Sequence, residues 1–223
     1  MLLNSKKNKD LVANHFFKLL EDGRLDQNLF EKTLIECNFK AEDGYLMFDS
    51  SLVNLVNYIV QLYDEKLVDL AKKNKLDDLS VSQKVKKLIL LRLQLIAENK
   101  IAAQKIWQFY FDYHNSYYGA KTLYKTCDLI WKIAKDSSTD YNFYTKRAIL
   151  AKVYLKVFKF YLDDFSQNDV DTINCLDEEL KKVARIGKIK AQLKDKMNKI
   201  DEICQKLPKS INDLPFFRLY KKK

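Results

Sequence analysis

The side chains best suited to metal binding are few and far apart in this chain of 223 residues. Its two histidines, His15 and His114, are separated by most of the first half of the sequence, and neither has a Cys, Asp or Glu at the spacing of metal ligands. A zinc or iron site needs several such ligands in one cluster. The sequence therefore predicts no metal site and no cofactor other than a bound ligand.

Cysteines and paired carboxylates are the other candidates for chemistry. The four cysteines form no C-x-x-C pair, which is typical of reduced, structural thiols. Adjacent carboxylates at Asp163-Asp164 and Glu178-Glu179 are interpreted as solvated helix ends. Phosphate-binding glycine loops and serine-hydrolase motifs are absent from the sequence. We therefore predict that the protein is not an enzyme and has no catalytic residues.

The elements that must position any functional side chain are predicted to be helices. Four Gly and two Pro are too few for the turns of a β-sandwich or barrel. Apolar residues instead recur at three- and four-residue steps, which is the period of an amphipathic helix. The predicted helices are Leu11–Leu20, Gln27–Cys37, one starting at Leu52, Val85–Ile96, Ile101–Tyr113, Thr122–Ala134, Tyr141–Leu162 and a long one from about Asp171. The fold class is therefore predicted to be all-α.

Three parts are predicted along the chain. Residues 1–70 contain three short segments before a longer helix, with Gly44 interrupting the third, which is the outline of a helix-turn-helix module. A polar hinge around Lys72–Ser80 leads into a helical core at residues 80–180. Residues 181–223 form a basic amphipathic helix and tail, with fourteen bases against four acids.

The helix-turn-helix outline and the formal net charge of +10 together suggest a DNA-binding regulator. The segment that would enter the major groove, Ala41–Ser50, has three acids and no base. Carboxylates repel phosphates, and the positive charge lies later in the chain. We therefore predict no nucleic-acid partner, and we keep a ligand-sensing helix-turn-helix transcription regulator as the alternative function.

One stretch of the sequence resembles a known family signature. Residues 128–151 read D-L-I-W-K-I-A-K-D-S-S-T-D-Y-N-F-Y-T-K-R-A-I-L-A. They resemble W-x-x-A-G-D-x-S-T-D-x-N-W-Y-T-[KR]-R-A-x-L-A of the coenzyme Q biosynthesis protein nine family, and K-I-K-A at Lys188–Ala191 is a weaker match. Lys135 replaces the usual Gly, which predicts a somewhat different helix ending. Phe143 replaces the usual Trp and lacks its indole N–H donor.

The resemblance implies a tetracycline-repressor-like helical bundle with a degenerate N-terminal helix-turn-helix and a C-terminal amphipathic helix. It implies a hydrophobic pocket for an isoprenoid lipid such as a ubiquinone precursor. Family members are not catalysts and present the quinone intermediate to the di-iron demethoxyubiquinone hydroxylase at the membrane. The residues implied to bind this partner are Asp140, Asn142, Phe143, Tyr144 and Arg147.

The predicted lipid pocket lies among the apolar helices of the core. The helix Tyr141–Leu162 is expected near the middle of the bundle, because only a lysine stripe interrupts its apolar surface. A solid, well-packed core would need the same apolar residues, so the pocket is an expectation from the resemblance. The candidate lipid-binding residues are Trp107, Phe111, Ile130, Ala148, Ala151, Tyr154 and Phe158.

The basic segment Leu180–Leu207 has three interpretations that the sequence leaves open. It can pack on the bundle, pair with a second copy, or lie on anionic lipid. We favour membrane contact, with a homodimer expected as well. The candidate membrane-contact residues are Lys188, Ile189, Lys190, Leu193, Met197 and Ile200.

The first predicted helix begins about ten residues into the chain, which leaves little room for a transit peptide. The predicted location is the bacterial cytoplasm, peripheral on the inner membrane. The predicted function is that of a lipid-binding accessory protein of ubiquinone biosynthesis. A purely structural interaction module is the remaining rival, and it predicts a protein without bound lipid.

Overall fold

The computed structural model describes residues 4–137 and 140–185, without the side chains of residues 140–142. These residues form α-helices and two short 3-10 turns, and no strand occurs among them. The predicted all-α class is therefore confirmed. The helices are α1 (Lys6–Leu19), α2 (Gln27–Glu36), α3 (Asp43–Phe48), α4 (Leu52–Lys73), α5 (Val81–Gln94), α6 (Lys100–Phe111), α7 (Ser116–Ile133), α8 (Asp140–Leu162) and α9 (residues 170–185).

Side-chain caps decide where the first helices begin. Helix α1 starts at Lys6, five residues before its predicted start, because the Ser5 hydroxyl accepts a hydrogen bond from the Asn8 N–H. Asp26 caps α2 and Ser51 caps α4 in the same way. Caps of this kind determine where these helices begin, because the pattern of apolar residues alone does not define their polar first turns.

The interior of the N-terminal part is a chain of aromatic rings. Phe16 of α1 meets Phe30 of α2 edge to face at 6.4 Å between ring centroids, and Phe30 meets Phe48 of α3 at 6.0 Å. Gly44 was predicted to interrupt the third segment. It lies inside α3 instead. A Cβ at Gly44 would stand 3.0 Å from a methyl group of Leu34, so the missing side chain lets α3 approach α2 closely.

The polar hinge is confirmed, since α4 ends at Lys73 and α5 begins at Val81 behind a capping box of Ser80 and Gln83. Helix α4 packs against α1, α5 and α7. The chain divides into two compact units, residues 1–176 and 177–223. The predicted parts 1–70 and 80–180 thus pack together over most of their length, and the three-part division remains a prediction.

The apolar composition of helix α8 predicted a position near the middle of the bundle. The helix lies at the edge of the bundle instead. The lysine stripe is exposed, and Tyr144, Ala148 and Phe160 are exposed beside it. Leu150, Val153, Val157 and other residues of the opposite side are buried. The helix therefore has one buried face although apolar residues occur on both faces.

No helix within residues 4–137 and 140–185 is long and apolar enough to cross a bilayer. The predicted membrane-contact residues, all beyond residue 185, lie outside the described residues. Their role remains a prediction.

Only one of the two carboxylates Asp163 and Asp164 is solvated at the helix end, as predicted for both. Asp163 is exposed, but Asp164 is buried and accepts hydrogen bonds from the Thr172 N–H and hydroxyl and from the Ser166 N–H. Burial raises the pKa of the Asp164 carboxyl, but these donors outweigh it and lower the pKa to about 2. The carboxylate thus connects the end of α8 to the start of α9.

Replacing Asp164 with Asn should therefore change the acid stability of the protein. Because the folded-state pKa is below the unfolded one, the carboxylate stabilises the fold above about pH 4, and this contribution is lost as the pH falls towards 2. The free-energy difference between wild type and Asp164→Asn in urea unfolding should shrink by about 2 kcal/mol between pH 6 and pH 2. Asp163→Asn is the matched control, and equal pH dependence of the two variants would contradict the assignment.

Candidate functional site

A cavity of about 300 Å³ lies between α4, α5, α6, α7 and α8, with Phe17 of α1 at one side. Its wall is mainly aromatic and aliphatic, which is typical of small-molecule sites in helical bundles. The volume is at the lower end of the range for such sites. The described part of the core is therefore hollow at this place. The sequence pattern could not distinguish a hollow core from a solid one.

Four of the seven predicted lipid-binding residues lie on the cavity wall. The Trp107 ring is 4.7 Å from that of Phe111 and 5.1 Å from that of Phe158, between centroids. Tyr154 stacks on Phe158 at 5.8 Å with an interplanar angle of 16°. These rings give the cavity flat aromatic surfaces.

The other three predicted residues do not lie on the wall. Ile130 is fully buried elsewhere in the core, Ala148 is exposed on the outer face of α8, and Ala151 is half-buried. The prediction was wrong for them because apolar composition does not show which side of a helix faces the cavity, either for Ile130 on α7 or for the two alanines on α8. Leu155, which was not selected, contributes to the wall instead.

The cavity opens where α6 ends and α7 begins. Phe111 is 63% exposed there, and Ser116 and Ala120 are exposed beside it. A Cβ at Gly119 would stand 2.8 Å from the Cβ of Tyr110, so α6 and α7 approach closely at this opening. Exposed tyrosines follow on the connecting segment and the first turns of α7, namely Tyr113, Tyr117 and Tyr118.

The inner end of the cavity carries a buried charged pair. Arg92 of α5 lies on the wall, is 5% exposed, and donates from Nε to Oδ1 of Asp64 on α4 at 2.9 Å. Thr126 of α7 donates from its hydroxyl to Oδ2 of Asp64 at 2.8 Å. This network joins three helices, and it satisfies both oxygens of a carboxylate that would otherwise be costly to bury.

Two phenols lie near this pair. Tyr63 and Tyr154 are both buried on the cavity wall, and the Arg92 guanidinium is 5.5 Å from the Tyr63 ring centroid. Burial raises the pKa of each hydroxyl to about 12. Both phenols are therefore protonated at neutral pH and keep an O–H donor.

Arg92, Asp64 and Thr126 were not among the residues predicted from the sequence. A signal was present, because the chain has thirty-five Lys but only five Arg, and Arg92 stands in the run Leu88–Leu95, whose seven other residues are all apolar except Gln94. Arginine in place of the habitual lysine indicates a planar, multidentate contact. Its partner Asp64 is 28 residues away and could not be identified from spacing.

The signature residues of the sequence form a clasp between α7 and α8. Arg147 donates from Nε to Oδ1 of Asp128 at 2.6 Å, and Lys132 pairs with the same carboxylate. The Trp131 indole N–H donates to the carbonyl of Lys146 at 3.2 Å, while Lys146 Nζ lies 2.6 Å from the buried carboxylate of Asp136. The signature thus fixes the angle at which α8 leaves α7.

The predicted partner-binding residues divide into exposed and buried ones. Tyr144 is 66% exposed, and its ring meets that of Phe143 edge to face at 5.2 Å. Arg147 is only 2% exposed, so the prediction that it contacts a partner is wrong. It instead donates to the Phe143 carbonyl and stacks on the Phe143 ring, which orients that side chain. The side chains of Asp140 and Asn142 lie outside the described residues.

Lys135 ends α7 in the left-handed conformation, with φ at +61°. The Asp136 N–H then donates to the carbonyl of Trp131, as in a Schellman ending. The expectation that Lys135 changes the helix ending is wrong, since the backbone adopts the form that Gly favours. The Lys135 side chain pairs with Asp77 at 2.8 Å, but both groups are well exposed and the pair contributes little.

Both histidines have a carboxylate neighbour. His15 Nε2 lies 2.7 Å from Glu36, and His114 Nδ1 lies 3.1 Å from Asp112. Throughout the described ranges, no group of three or more His, Cys, Asp or Glu side chains is placed to hold a metal ion.

Replacing Lys135 with Gly should stabilise the protein, because a left-handed backbone costs a residue with a Cβ about 1 kcal/mol. We expect the free energy of unfolding in urea to rise by about that amount. Lys135→Ala is the control: it removes the pair with Asp77 but keeps the Cβ, and its stability should not rise. A gain of equal size in both variants would show that the backbone strain is not the cause.

Residues 117–187 match the COQ9 family model. A 67-residue segment is 36% identical to the ubiquinone biosynthesis protein COQ9, mitochondrial, of Rattus norvegicus, and covers 30% of this chain and 22% of that protein. The protein of the same name from Bos taurus is 32% identical over 81 residues, which are 36% of this chain and 25% of the relative. The chain thus aligns with about a quarter of the length of these curated relatives.

A solved structure has a similar fold. The TetR transcriptional regulator from Nitrosomonas europaea ATCC 19718 superposes with a TM-score of 0.64, over 80% of this chain and 99% of the regulator. The sequences are 17% identical, so this likeness concerns the fold alone. Residues 117–187 are therefore similar to the COQ9 family, and the fold of the chain is TetR-like.

Proposed function

We propose that the protein is a lipid-binding accessory protein of ubiquinone biosynthesis. It binds an isoprenoid quinone intermediate in the cavity between α4 and α8 and presents it to the di-iron demethoxyubiquinone hydroxylase. The observation that carries this proposal is an apolar cavity of about 300 Å³ in a chain whose residues 117–187 match the COQ9 family. Binding and presentation take the place of bond-making chemistry, so the protein is proposed not to be an enzyme.

The hydrophobic effect is the driving force for lipid binding in this proposal. Each methylene transferred from water to the apolar wall contributes about 0.8 kcal/mol. A cavity of about 300 Å³ holds only part of a long prenylated molecule, so the rest extends through the opening at Phe111. The exposed tyrosines there, Tyr113 and Tyr117, suit contact with the bilayer surface, where aromatic side chains are favoured.

Presentation to the hydroxylase is assigned to the exposed start of α8. Tyr144 projects into solvent, and Phe143 is held beside it by Arg147. Exposed aromatic side chains on a rigid element are frequent hot spots of protein interfaces, because they bury a large area with little loss of conformational freedom. The clasp between α7 and α8 makes this element rigid.

The remaining parts of the proposal concern location and assembly. The rat and bovine relatives are described as mitochondrial. For this chain we propose a bacterial cytoplasmic protein, peripheral on the inner membrane, with the basic segment on anionic lipid and a homodimer as the assembly. Membrane contact through Lys188–Ile200 remains a prediction, because those residues are outside the described part.

A ligand-sensing transcription regulator is the second candidate, and the TetR-like fold favours it. The helix in the position of a recognition helix, α3, has the sequence D-G-Y-L-M-F, with Asp43 and no base. Glu42 precedes it and Asp49 follows it, so phosphates would meet carboxylates. Salt-dependent binding to duplex DNA in a gel-shift assay at low salt would favour the regulator.

Solvent extraction of the purified protein, followed by mass spectrometry, should yield a prenylated quinone or one of its precursors. Ala120→Trp should abolish this yield, because Ala120 lies at the cavity opening and an indole there would block it. Ala148→Trp is the matched control, since Ala148 is exposed and away from the cavity. Lipid-free wild-type protein, or equal yields from both variants, would contradict the proposal.

Tyr144→Ala should weaken hydroxylase binding about tenfold, which is the usual loss at an interface hot spot. A pull-down or biolayer measurement with the purified hydroxylase would record it, and thermal unfolding would show that the variant is folded. Tyr45→Ala is the control, because Tyr45 on α3 is 69% exposed and lies outside the proposed partner-binding residues. Unchanged affinity of Tyr144→Ala would remove Tyr144 from the partner-binding residues.

A further inference from the structure

We propose that Arg92 binds the oxygen-bearing head group of the ligand, so that the lipid occupies the cavity head inward and tail outward. This inference rests on the proposed lipid-binding function and deepens it. It assigns a polar, specificity-determining residue to a cavity whose wall is mainly apolar. The ligand class is an uncharged head with carbonyl, ether or hydroxyl oxygens, attached to an apolar tail.

Arg92 has more hydrogen-bond donors than its protein contacts use. A guanidinium has five N–H donors in one plane. Arg92 uses Nε for Asp64, and its Nη2 has only a long contact of 3.5 Å to the carbonyl of Val60. No other hydrogen-bond acceptor for Arg92 occurs among residues 4–137 and 140–185. At least three N–H donors therefore remain for a group in the cavity.

Arg92 lies where only a group in the cavity can reach its remaining donors. Its side chain is 5% exposed, so bulk water does not satisfy the remaining donors, and it forms part of the cavity wall. Donors left without an acceptor inside a protein are costly, and an acceptor on the ligand removes that cost. An oxygen at the inner end of the cavity therefore binds better than a methyl group of the same size.

The charges around Arg92 favour an uncharged head group. Asp64 already neutralises Arg92, and Thr126 satisfies the second oxygen of that carboxylate. An anionic head would leave the buried site with a net negative charge, which is unfavourable in a low-dielectric interior. A neutral acceptor keeps the site neutral. The protonated hydroxyls of Tyr63 and Tyr154 add further donors of the same kind on the wall.

The cavity has a buried end and an exposed end. Arg92 shares the closed end with the buried residues Ile96 and Ala103, whereas Phe111 and Ser116 are exposed at the opening. The flat rings described above line the path between these ends. A planar head group therefore fits against the rings with its oxygens at Arg92, and its chain leaves through the opening.

A purely structural role of the Arg92–Asp64 pair is the competing explanation. It ties α4 and α5 together, and it predicts a loss of stability on mutation but no change in which ligand is preferred. The ligand-binding role predicts a change in preference. Selectivity between matched ligands, measured on folded protein, therefore distinguishes the two explanations.

The test compares two prenylated probes of similar size, one with oxygen atoms on its ring and one without. One is a dimethoxy-methyl-benzoquinone with a single isoprene unit, and the other is the corresponding prenylated polymethylbenzene. Displacement of Nile red from the full-length protein gives both affinities. Wild type should prefer the quinone by about tenfold or more, which is the contribution of a hydrogen bond to a charged group.

The double variant Arg92→Met with Asp64→Leu removes both charges and leaves neither buried alone. It should bind the hydrocarbon as wild type does and lose the preference for the quinone. Arg92→Lys serves as a second variant, because it keeps the charge opposite Asp64 but lacks the guanidinium fork, and its preference should also fall. Lys105→Met is the control, since Lys105 is a partly buried cation on α6 whose bonds go to the carbonyls of Leu20, Glu21 and Gly23.

A wild-type protein that binds both probes equally, or a folded double variant or Arg92→Lys that keeps the full preference, would overturn this inference and leave the lipid-binding proposal intact. A loss of preference in Lys105→Met as well would assign the effect to general destabilisation and also overturn it. If neither probe displaces Nile red from wild type, both the inference and the proposed function fail.

Discussion

A charged pair buried beside an apolar cavity is the constraint on which the rest of this structure depends. Asp64, Arg92 and Thr126 come from α4, α5 and α7, and each satisfies a polar group of another. Breaking any of these contacts would leave a charge or a hydroxyl without its partner in a medium of low dielectric constant. These contacts hold the three helices in a fixed arrangement beside the cavity.

The family signature has a structural role in this arrangement. Trp131, Lys146 and the partly buried Arg147–Asp128 pair fasten the end of α7 to the start of α8. Beyond the clasp, α8 contributes Tyr154 and Phe158 to the cavity wall. One set of contacts therefore positions both the exposed aromatic pair and the ligand wall. Through α8, the surface proposed to meet the hydroxylase is physically continuous with the wall of the cavity.

Much of the fold could be predicted from the sequence, because apolar periodicity and caps are local properties. The hinge before Val81 and the helical class follow from them. The site was predictable only in part. Trp107 and Phe158 were found because large rings on apolar helices are usually buried, but Ala148 was misplaced because apolar residues surround α8. Arg92 depends on a partner in another helix, which only the packed structure reveals.

The backbone at Lys135 also shows that local residue preferences do not always predict the structure. A lysine there predicted a changed helix ending, yet the turn keeps the left-handed form. Contacts on both sides of residue 135 determine its conformation, and they outweigh its own preference. Local residue preferences thus fail where the tertiary contacts of the clasp impose the geometry.

Photolabelling is the most direct measurement of the central claim that a prenylated quinone occupies the cavity. An analogue with a diazirine on its ring would be bound, irradiated and located by peptide mapping. The account predicts labels on residues of the closed end, such as Ile96, Ala103 and Thr126, with excess unlabelled ligand suppressing them. Labels confined to exposed residues such as Tyr113 and Phe165, which excess ligand does not suppress, would contradict it.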